Sequence, residues 1–436
     1  MSTSLNYLRH KNFAIYGLGV TGRSVIRYFN KYGFKNYVGW DDDGKVSKRF
    51  FGPKYKRIKS NFLKTVNFVD YIIVSPGINI NKAKLKKILL KNKHKIITDL
   101  DLFYLLNPDI KSIVVTGTNG KSTTCKIIEH VLRKNNINVS LGGNIGSPVL
   151  NLNLKKNPLT VIEASSFQLA YSKFIKPNYA LILNIKKDHL DWHGSMNSYI
   201  QSKLKIFSLQ KRENFALVND KGLLKQFRKH KYASNLKFIT SGKYKQIKNK
   251  IKNNYLSSEA NEENMSFVYT LSKILKVKEK SFIRSLKSFK GLPHRHEIFY
   301  KKNNKIFVND SKATSFEASR FALKNNKNIF WIVGGLPKMG DRFQLGELRK
   351  NIIKTYIIGR YMKNFKKHLK GKVSIQLSKT LNNAVVSVFK DIRNIKDKKI
   401  TILLSPASAS YDQFKNFEDR GNKFKKLIKN YIKKYF

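Results

Sequence analysis

Residues 116–123, TGTNGKST, combine residue types that bind phosphate groups. The glycines leave backbone N–H groups free to surround phosphates, Lys121 can reach the outer phosphates, and the hydroxyl of Ser122 can ligate Mg²⁺. The segment departs from the general P-loop pattern at Val115, where that pattern has its first glycine. We predict a loop that binds a nucleoside triphosphate with Mg²⁺, and keep a plain glycine-rich turn as the alternative.

Glu163, His189 and Lys203, which all lie downstream of this loop, have side chains that fit the same chemistry. Glu163 ends an apolar run, and a carboxylate at the carboxyl edge of a sheet can hold a metal ion. His189 follows the apolar run 179–185, and Lys203 lies 14 residues after His189. A single histidine after a strand is often structural, but the phosphate loop and Glu163 favour His189 as part of the site. We interpret His193 as an ordinary packing or surface histidine.

A second glycine-rich segment, GLGVTG at 17–22, lies between a predicted strand and a predicted helix, with Asp41 about 20 residues further on. This spacing is typical of turns that bind a dinucleotide at a helix N-terminus. Alone, it is compatible with an NAD enzyme, another nucleotide-binding protein or a plain strand–helix turn. An NAD dehydrogenase is disfavoured because it would leave the loop at 116–123 unexplained.

Apolar runs alternate with lysine-rich helical stretches along the chain, which is typical of parallel α/β domains. The 436 residues leave room for about three domains of roughly 150 residues. Three parts are visible, beginning near residues 12 and 111 and after residue 297. We predict that the polar, lysine-rich segment 243–254 is a surface loop or a β excursion.

The formal net charge is +60, from 87 Lys and Arg against 27 Asp and Glu. Because the lysines are spread through the whole chain and accompany abundant Asn, Ile, Phe and Tyr, we interpret the charge as compositional drift and expect no specific nucleic-acid partner. The single cysteine, Cys125, excludes an intramolecular disulfide and a cysteine-built metal cage. With no secretion signal and no apolar stretch near 18 residues, we predict a cytoplasmic protein without membrane insertion.

Six motifs between about residues 12 and 424 together resemble the Mur ligase family, in particular its members that add D-glutamate to UDP-N-acetylmuramoyl-L-alanine. They are GTNGKST, EASSFQL, LNIKKDHLDWHG, GLPHRHE, NDSKATS and LLSPASASYDQFKNFEDRG. The first motif alone would also admit folylpolyglutamate synthase, but the last motif and GLGVTG favour the D-glutamate branch. A basic P-loop ATPase that binds nucleic acid remains as an alternative from another class.

The resemblance implies an α/β fold of three domains. These are a Rossmann-like UDP-binding domain at 1–100, a central ATP-binding P-loop domain with a parallel sheet at 101–297, and a Rossmann-like amino-acid-binding domain at 298–436. It also implies ATP-dependent amide formation in peptidoglycan precursor synthesis, through an acyl phosphate. The expected cofactors are ATP and two Mg²⁺ ions, with Lys203 carbamylated by CO₂, and we expect a monomer.

The same resemblance assigns site residues. The catalytic residues are Lys121, His189 and Lys203. The ATP-binding residues are Gly117, Thr118, Asn119, Gly120, Lys121, Ser122, Thr123, Asn261, Asn264, Arg295 and Asp310. The residues for the UDP substrate are Val20, Thr21, Asp41, Ser75, Pro76, Gly77 and Asn144. The D-glutamate residues are Lys312, Thr314, Lys338, Ser410 and Phe417. The metal ligands are Ser122, Glu163, His189 and Lys203.

Overall fold

The computed structural model describes residues 3–51, 61–253, 255–256, 259–338, 341, 343–395 and 397–435. The chain forms two compact units, Met1–Phe289 and Lys290–Phe436. Its described strands make three sheets in which neighbouring strands are parallel, apart from one antiparallel pair. The predicted α/β class is confirmed, while the domain boundaries after residues 100 and 297 stay predictions.

The first sheet of the first unit is parallel and has the order β2-β1-β3-β4. Its strands are β1 (Phe13–Tyr16), β2 (Tyr37–Trp40), β3 (Tyr71–Val74) and β4 (Ile96–Ile97). The α-helices around it are Thr3–Arg9, Val20–Tyr32, Gly44–Phe51, Lys86–Lys91 and Asp99–Leu106. The turn after β1 requires glycine at Gly22, because an added Cβ would lie 1.9 Å from the carbonyl oxygen of Gly17. This close approach brings the start of helix Val20–Tyr32 to the end of β1.

The second sheet of the same unit is parallel, with the order β10-β9-β8-β5-β7-β6. Its strands are β5 (Ser112–Thr116), β6 (Val139–Gly143), β7 (Leu159–Glu163), β8 (Tyr179–Ile182), β9 (Phe215–Val218) and β10 (Asn235–Phe238). Its α-helices are Lys121–Lys134, Ser166–Tyr171, Leu190–His193, Met196–Leu204, Lys221–Lys229, Gly242–Ile251, Glu259–Ile274 and Glu279–Lys287. Because β5 lies between β7 and β8, the segments that follow these three strands meet at one edge of the sheet.

The prediction for segment 243–254 was wrong where the structure describes it, because Gly242–Ile251 is an α-helix. Tyr244, Ile247 and Ile251 are buried on one side of this helix. Their spacing of three and four residues is the helical period, but lysines at most other positions hide it in the sequence. The lysine face is solvated while the apolar stripe holds the helix on the unit.

The second unit has one sheet of order β11-β12-β16-β13-β14-β15, in which only β11 and β12 are antiparallel. Its strands are β11 (Glu297–Lys302), β12 (Lys305–Asn309), β13 (Ile329–Gly334), β14 (Ile352–Ile358), β15 (Ile375–Lys379) and β16 (Ile400–Leu404). Its α-helices are Phe316–Lys324, Met362–Leu369, Leu381–Ile392 and Phe417–Tyr435. Every residue of β13 and β16 is buried, as expected for strands covered on both faces. Within the described residues, no helix has the length and apolar character that crossing a bilayer requires.

Candidate active site

The loop at 117–120 joins β5 to helix Lys121–Lys134 and is held by backbone and side-chain hydrogen bonds. The N–H of Thr118 donates to the carbonyl of Asn184, and the N–H of Asn119 donates to Asn184 Oδ1, both at 2.9 Å. The ammonium of Lys121 lies 2.8 Å from the carbonyl oxygens of both Gly117 and Thr118. The loop therefore has a defined shape with the lysine folded over it, as a phosphate site needs.

The first turn of the helix and a neighbouring helix complete this loop. Gly120 has φ +84°, and an added Cβ would lie 2.1 Å from Asn264 Oδ1, so helix Glu259–Ile274 presses directly against the loop. Asn264 Nδ2 in turn lies 3.4 Å from Asn261 Oδ1. Ser122 and Thr123 are buried in the first turn, where backbone N–H groups lack helical partners. The structure thus brings the predicted ATP residues of this unit together, and their roles stay predictions.

Glu163 lies beside this loop because it pairs in register with Val115 of β5. Its side chain is 2% exposed, and Oε1 accepts a 2.9 Å hydrogen bond from Asn144 Nδ2. The other carboxylate oxygen, Oε2, is buried and has no hydrogen-bond partner among the described residues. Leaving such a group unsatisfied costs about 1–3 kcal/mol. Glu163 ends β7, and Ser122 lies in the helix that follows the neighbouring strand β5. The unsatisfied oxygen of Glu163 and the hydroxyl of Ser122 are the kind of oxygen ligand that Mg²⁺ prefers.

Lys203 is not a solvated lysine, because it is 1% exposed on helix Met196–Leu204. Its ammonium donates to the carbonyl of Gly117 at 2.9 Å and lies 4.6 Å from the ring centroid of Tyr199. Burial, reinforced by the positive charge of Lys121, lowers the pKa of Lys203 well below its ordinary value of 10.5. The side chain therefore reaches the underside of the phosphate loop with a weakened preference for its charged form.

His189 adopts a left-handed conformation, φ +52°, directly before the short helix Leu190–His193. Its Nε2 lies 3.4 Å from Asp188 Oδ2. Burial lowers the pKa of His189 below 6.5; Asp188 opposes this shift, whereas the charges of Lys121 and Lys203 add to it. The imidazole is therefore mainly neutral at pH 7, as a proton acceptor or a metal ligand must be.

His193 packs as its sequence interpretation predicted. Its ring stacks on Phe167 at 5.7 Å between centroids, and Nε2 lies 3.0 Å from Ser166 Oγ. Burial, followed by the charges of Lys203 and His189, lowers its pKa to about 4. A neutral ring with a hydroxyl partner explains this histidine without a catalytic role.

A cleft of about 480 Å³ lies between the first sheet and the β6 end of the second sheet. The predicted UDP-substrate residues all line it, namely Val20, Thr21, Asp41, Ser75, Pro76, Gly77 and Asn144. Asp41 Oδ2 accepts the N–H of Leu18 at 2.7 Å, and Ser75 Oγ donates to the carbonyl of Gly17 at 2.8 Å. These bonds fix the glycine turn, so that the N-terminus of helix Val20–Tyr32 faces the cleft.

Gln168 lines the same cleft, although it is not among the residues predicted to bind the UDP substrate. Its side chain accepts the N–H of Ser165 at 3.1 Å and donates to the buried Asp99 at 3.2 Å. Burial raises the pKa of Asp99 to about 6. The pattern S-x-x-Q, which marks a capping box, was the one available sequence signal for this arrangement.

In the second unit, Asp310 directly follows β12, and Arg295 precedes β11, which is antiparallel to β12. Asp310 is buried, accepts hydrogen bonds from the His296 N–H and the Ser405 hydroxyl, and has its pKa raised to about 7 by burial. The Nε of Arg295 is buried and has no hydrogen-bond partner among the described residues. Both assignments to the nucleotide stay predictions.

The predicted amino-acid residues of this unit are only partly brought together. Lys312 Nζ lies 4.8 Å from the ring centroid of Phe417, while Ser410 is 2% exposed. Thr314 and Lys338 are exposed. Backbone hydrogen bonds between Leu336 and Ala409 join the segments that carry Lys338 and Ser410. These contacts lie beyond the carboxyl ends of β13 and β16, and the pocket itself stays a prediction.

Arg420 is a further buried residue near the predicted amino-acid residues, although it is not one of them. It is 1% exposed; Nε donates to Ser311 Oγ at 3.0 Å, and Nη2 donates to the carbonyls of Ser311 and Ser408 at 2.8 and 3.0 Å. Burial lowers its pKa to about 10. The guanidinium thus ties together the segments that carry Lys312 and Ser410.

Comparisons with known proteins agree on one family. Residues 115–284 match the Mur ligase middle domain. A UDP-N-acetylmuramoylalanine–D-glutamate ligase of Rickettsia felis is 34% identical over 98% of this chain and 99% of its own length. The same-named protein of Rickettsia prowazekii is 33% identical over 98% of this chain and 100% of its own length.

Two solved structures share the fold. UDP-N-acetylmuramate–alanine ligase MurC of Thermotoga maritima aligns with a TM-score of 0.56 at 16% identity, over 97% of this chain and 100% of its own. MurF ligase of Thermotoga maritima, solved in complex with ADP, aligns with a TM-score of 0.55 at 18% identity, over 86% of this chain and 92% of its own. At these identities the likeness supports the fold alone.

Proposed function

The chain belongs to the Mur ligase family and is an ATP-dependent ligase of peptidoglycan precursor synthesis, and on that premise we propose the two substrates that it joins. The acid is UDP-N-acetylmuramoyl-L-alanine and the amine is D-glutamate, as the names of its relatives indicate. The observation that carries the proposal is Asn144, which lines the predicted UDP cleft and also binds Glu163 beside the phosphate loop. This contact supports a site in which the carboxylate of the UDP precursor and the γ-phosphate of ATP lie close together.

In the first step, the carboxylate of the precursor attacks the γ-phosphate of ATP and forms an acyl phosphate with release of ADP. Both reactants are anionic, so the site must offset their repulsion and the charge that develops on the phosphate oxygens. The ammonium of Lys121 and the N–H groups at the start of helix Lys121–Lys134 would supply this positive charge. Ser122 and Glu163 would hold Mg²⁺, which supplies further neutralisation of phosphate charge when bound.

In the second step, the amine of D-glutamate attacks the acyl carbonyl, and the tetrahedral intermediate expels inorganic phosphate. The amine loses a proton as the amide forms, and His189, with its lowered pKa, is our candidate acceptor. His189 and a carbamylated Lys203 would also serve a second Mg²⁺. Lys312, Thr314, Lys338, Ser410 and Phe417 are our candidates for binding D-glutamate, whose two carboxylates require cations and hydrogen-bond donors.

Phosphate release measured with UDP-N-acetylmuramoyl-L-alanine, ATP and each glutamate enantiomer tests this function. We expect release that depends on both the precursor and D-glutamate, with little release on L-glutamate. Equal use of L-glutamate would favour a folylpolyglutamate synthase-like ligase. ATP hydrolysis stimulated by polynucleotide but not by the precursor would favour the nucleic-acid alternative.

Substituting Asp41→Ala is expected to raise the KM for the UDP precursor about tenfold or more. Asp41 accepts the Leu18 N–H at the glycine turn, and hydrogen bonds to charged groups contribute about 1.5–3 kcal/mol. The KM for ATP should stay within about twofold, since Asp41 lines the cleft and not the phosphate loop. Steady-state kinetics with each substrate varied in turn measure both constants.

Asp43→Ala is the matched control, because Asp43 is exposed, is not among the described residues that line the cleft, and accepts the N–H of the nearby Lys45. Its kinetic constants should equal those of the wild type. Tight binding of NAD by the wild type in calorimetry would contradict the assignment of the cleft to UDP.

Substituting Ser410→Ala is expected to raise the KM for D-glutamate at least about fivefold, through loss of one hydroxyl hydrogen bond, with little change for the precursor or ATP. Ser408→Ala is the control, because the Ser408 hydroxyl bonds the carbonyl of Pro406 two residues away. Steady-state kinetics of both variants measure the difference. An equal loss for all three substrates in the Ser410 variant would indicate a structural role instead.

A further inference from the structure

One carboxylate next to the phosphate loop has no role in the proposed reaction. Glu263, on helix Glu259–Ile274, accepts hydrogen bonds from two asparagines, at Oε1 from Asn219 Nδ2 (2.6 Å) and at Oε2 from Asn184 Nδ2 (3.4 Å). No ion pair to Glu263 occurs among the residues that the structure describes. Its neighbour Glu262, in contrast, pairs with Lys245 and Lys248.

Asn184 connects this carboxylate to the loop. Its backbone carbonyl accepts the Thr118 N–H, and its Oδ1 accepts the Asn119 N–H, both at 2.9 Å. Its Nδ2 also lies 3.3 Å from the carbonyl oxygen of Asn119. The other hydrogen of this amide is donated to Glu263. The carboxylate of Glu263 therefore holds the Asn184 side chain, and Asn184 in turn holds the loop.

The orientation of the Asn219 side-chain amide is set by Glu263. A carboxylate only accepts hydrogen bonds, so Asn219 must turn its NH₂ group toward Glu263. This leaves Asn219 Oδ1 buried with no hydrogen-bond partner among the described residues. Such an unsatisfied acceptor is unfavourable, and the amide keeps this orientation because the bond to a charged group is the stronger one.

Electrostatic attraction to the nucleotide does not explain why a carboxylate lies at position 263. A negative charge beside a loop that binds polyphosphate opposes nucleotide binding. A purely electrostatic role and a geometric role therefore predict opposite effects when the charge is removed.

We propose that Glu263 is a positioning residue for the nucleotide, holding Asn184 and through it the loop residues Thr118 and Asn119. The inference rests on the proposed function, in which this loop binds ATP. It adds a residue that never touches the nucleotide and whose removal weakens nucleotide binding although it removes a repulsive charge.

The test is a double-mutant cycle between positions 263 and 184, read as the Kd for ADP in calorimetry and the KM for ATP. Glu263→Leu removes both acceptor oxygens, so Asn184 Nδ2 loses this partner, and we expect the Kd for ADP to rise about threefold to fivefold. In Glu263→Gln, the carbonyl can still accept from Asn184 while the NH₂ group donates to the otherwise unpaired Oδ1 of Asn219, so we expect little change. In Asn184→Asp, two carboxylates face each other beside the loop, and we expect a rise of more than about tenfold.

The double variant Glu263→Gln with Asn184→Asp should bind ADP more tightly than Asn184→Asp alone. The introduced glutamine can then donate to the new carboxylate with its NH₂ group while its carbonyl still accepts from Asn219. Glu263→Gln thus leaves binding nearly unchanged in the wild-type background and strengthens it in the Asn184→Asp background, which a merely structural role does not produce.

Glu262→Gln is the matched control, since it makes the same change one residue away where the carboxylate pairs with surface lysines. It should leave Kd and KM unchanged. Unchanged or tighter binding by Glu263→Leu, equal effects of Glu263→Gln in both backgrounds, or equal rises in the KM of all three substrates would overturn the proposal. A wild type that binds ADP but shows no D-glutamate-dependent phosphate release would instead contradict the proposed function.

Discussion

Replacing Lys121 with alanine is expected to reduce phosphate release by at least about 10³-fold, or roughly 4 kcal/mol of transition-state stabilisation. The Lys121 ammonium lies 2.8 Å from two loop carbonyls, where it would meet the outer phosphates of ATP. Alanine removes the only side-chain cation that the proposed mechanism places against the transferred phosphate. Phosphate release under saturating substrates measures the loss, and circular dichroism verifies that the variant is folded.

Lys126→Ala, on the same helix, provides the comparison. Lys126 pairs with Glu129 at 3.0 Å on the surface of helix Lys121–Lys134, so its loss should leave turnover unchanged. If Lys121→Ala retained activity within about tenfold of the wild type, or about 1.4 kcal/mol, the assigned role would be untenable.

Replacing Lys203 with alanine is expected to leave almost no ligase activity. The amine is buried beneath the phosphate loop and its pKa is lowered, so it can be neutral and react with CO₂. The resulting carbamate would present oxygen ligands to a hard cation, whereas an ammonium would repel one. Phosphate release measures the loss, and an NMR signal from enzyme equilibrated with ¹³C-bicarbonate detects the carbamate independently of turnover.

Chemical rescue distinguishes this role from a packing role. Bicarbonate should restore CO₂-depleted wild type, and acetate or formate should partly restore Lys203→Ala, because each supplies the missing carboxylate group. Substitution of the exposed Lys211 should have no effect. Full activity of Lys203→Ala, or a wild type that never shows the ¹³C signal, would refute carbamylation.

The sequence predicts the fold well where strands are buried, because apolar runs in parallel sheets have few other interpretations. Strands β5, β7 and β8 follow such runs, and the glycine turn after β1 follows from the spacing of Gly17 and Gly22. Helix Gly242–Ile251 shows the limit of this approach. Its apolar stripe consists of three residues on one side of a short helix. The remaining positions are mostly lysine and other polar residues, which are also typical of surface loops.

The sequence motifs indicate candidate site residues, but they do not show contacts between residues that are distant along the chain. The predicted UDP residues line one cleft. Gln168 and Arg420 lie inside the motifs EASSFQL and LLSPASASYDQFKNFEDRG, yet their contacts, like those of Glu263, could not be predicted because their partners Asp99, Ser311 and Asn184 are 69, 109 and 79 residues away along the chain. Their types are ordinary at their positions, and only the folded chain shows what each side chain contacts.

If the cleft binds the precursor and Glu163 binds Mg²⁺, as we propose, the position of Asn144 would couple the binding of these two ligands thermodynamically. Its backbone N–H and side-chain amide both bind Glu163, while the residue also lines the cleft. A ligand in the cleft that draws this amide away leaves Glu163 Oε1 free for a cation, and thereby raises the affinity of the carboxylate for it. Linkage is reciprocal, so the cation must raise the affinity of the cleft for that ligand by the same factor. Cooperativity between precursor and magnesium would then arise from one asparagine, with no movement of either sheet.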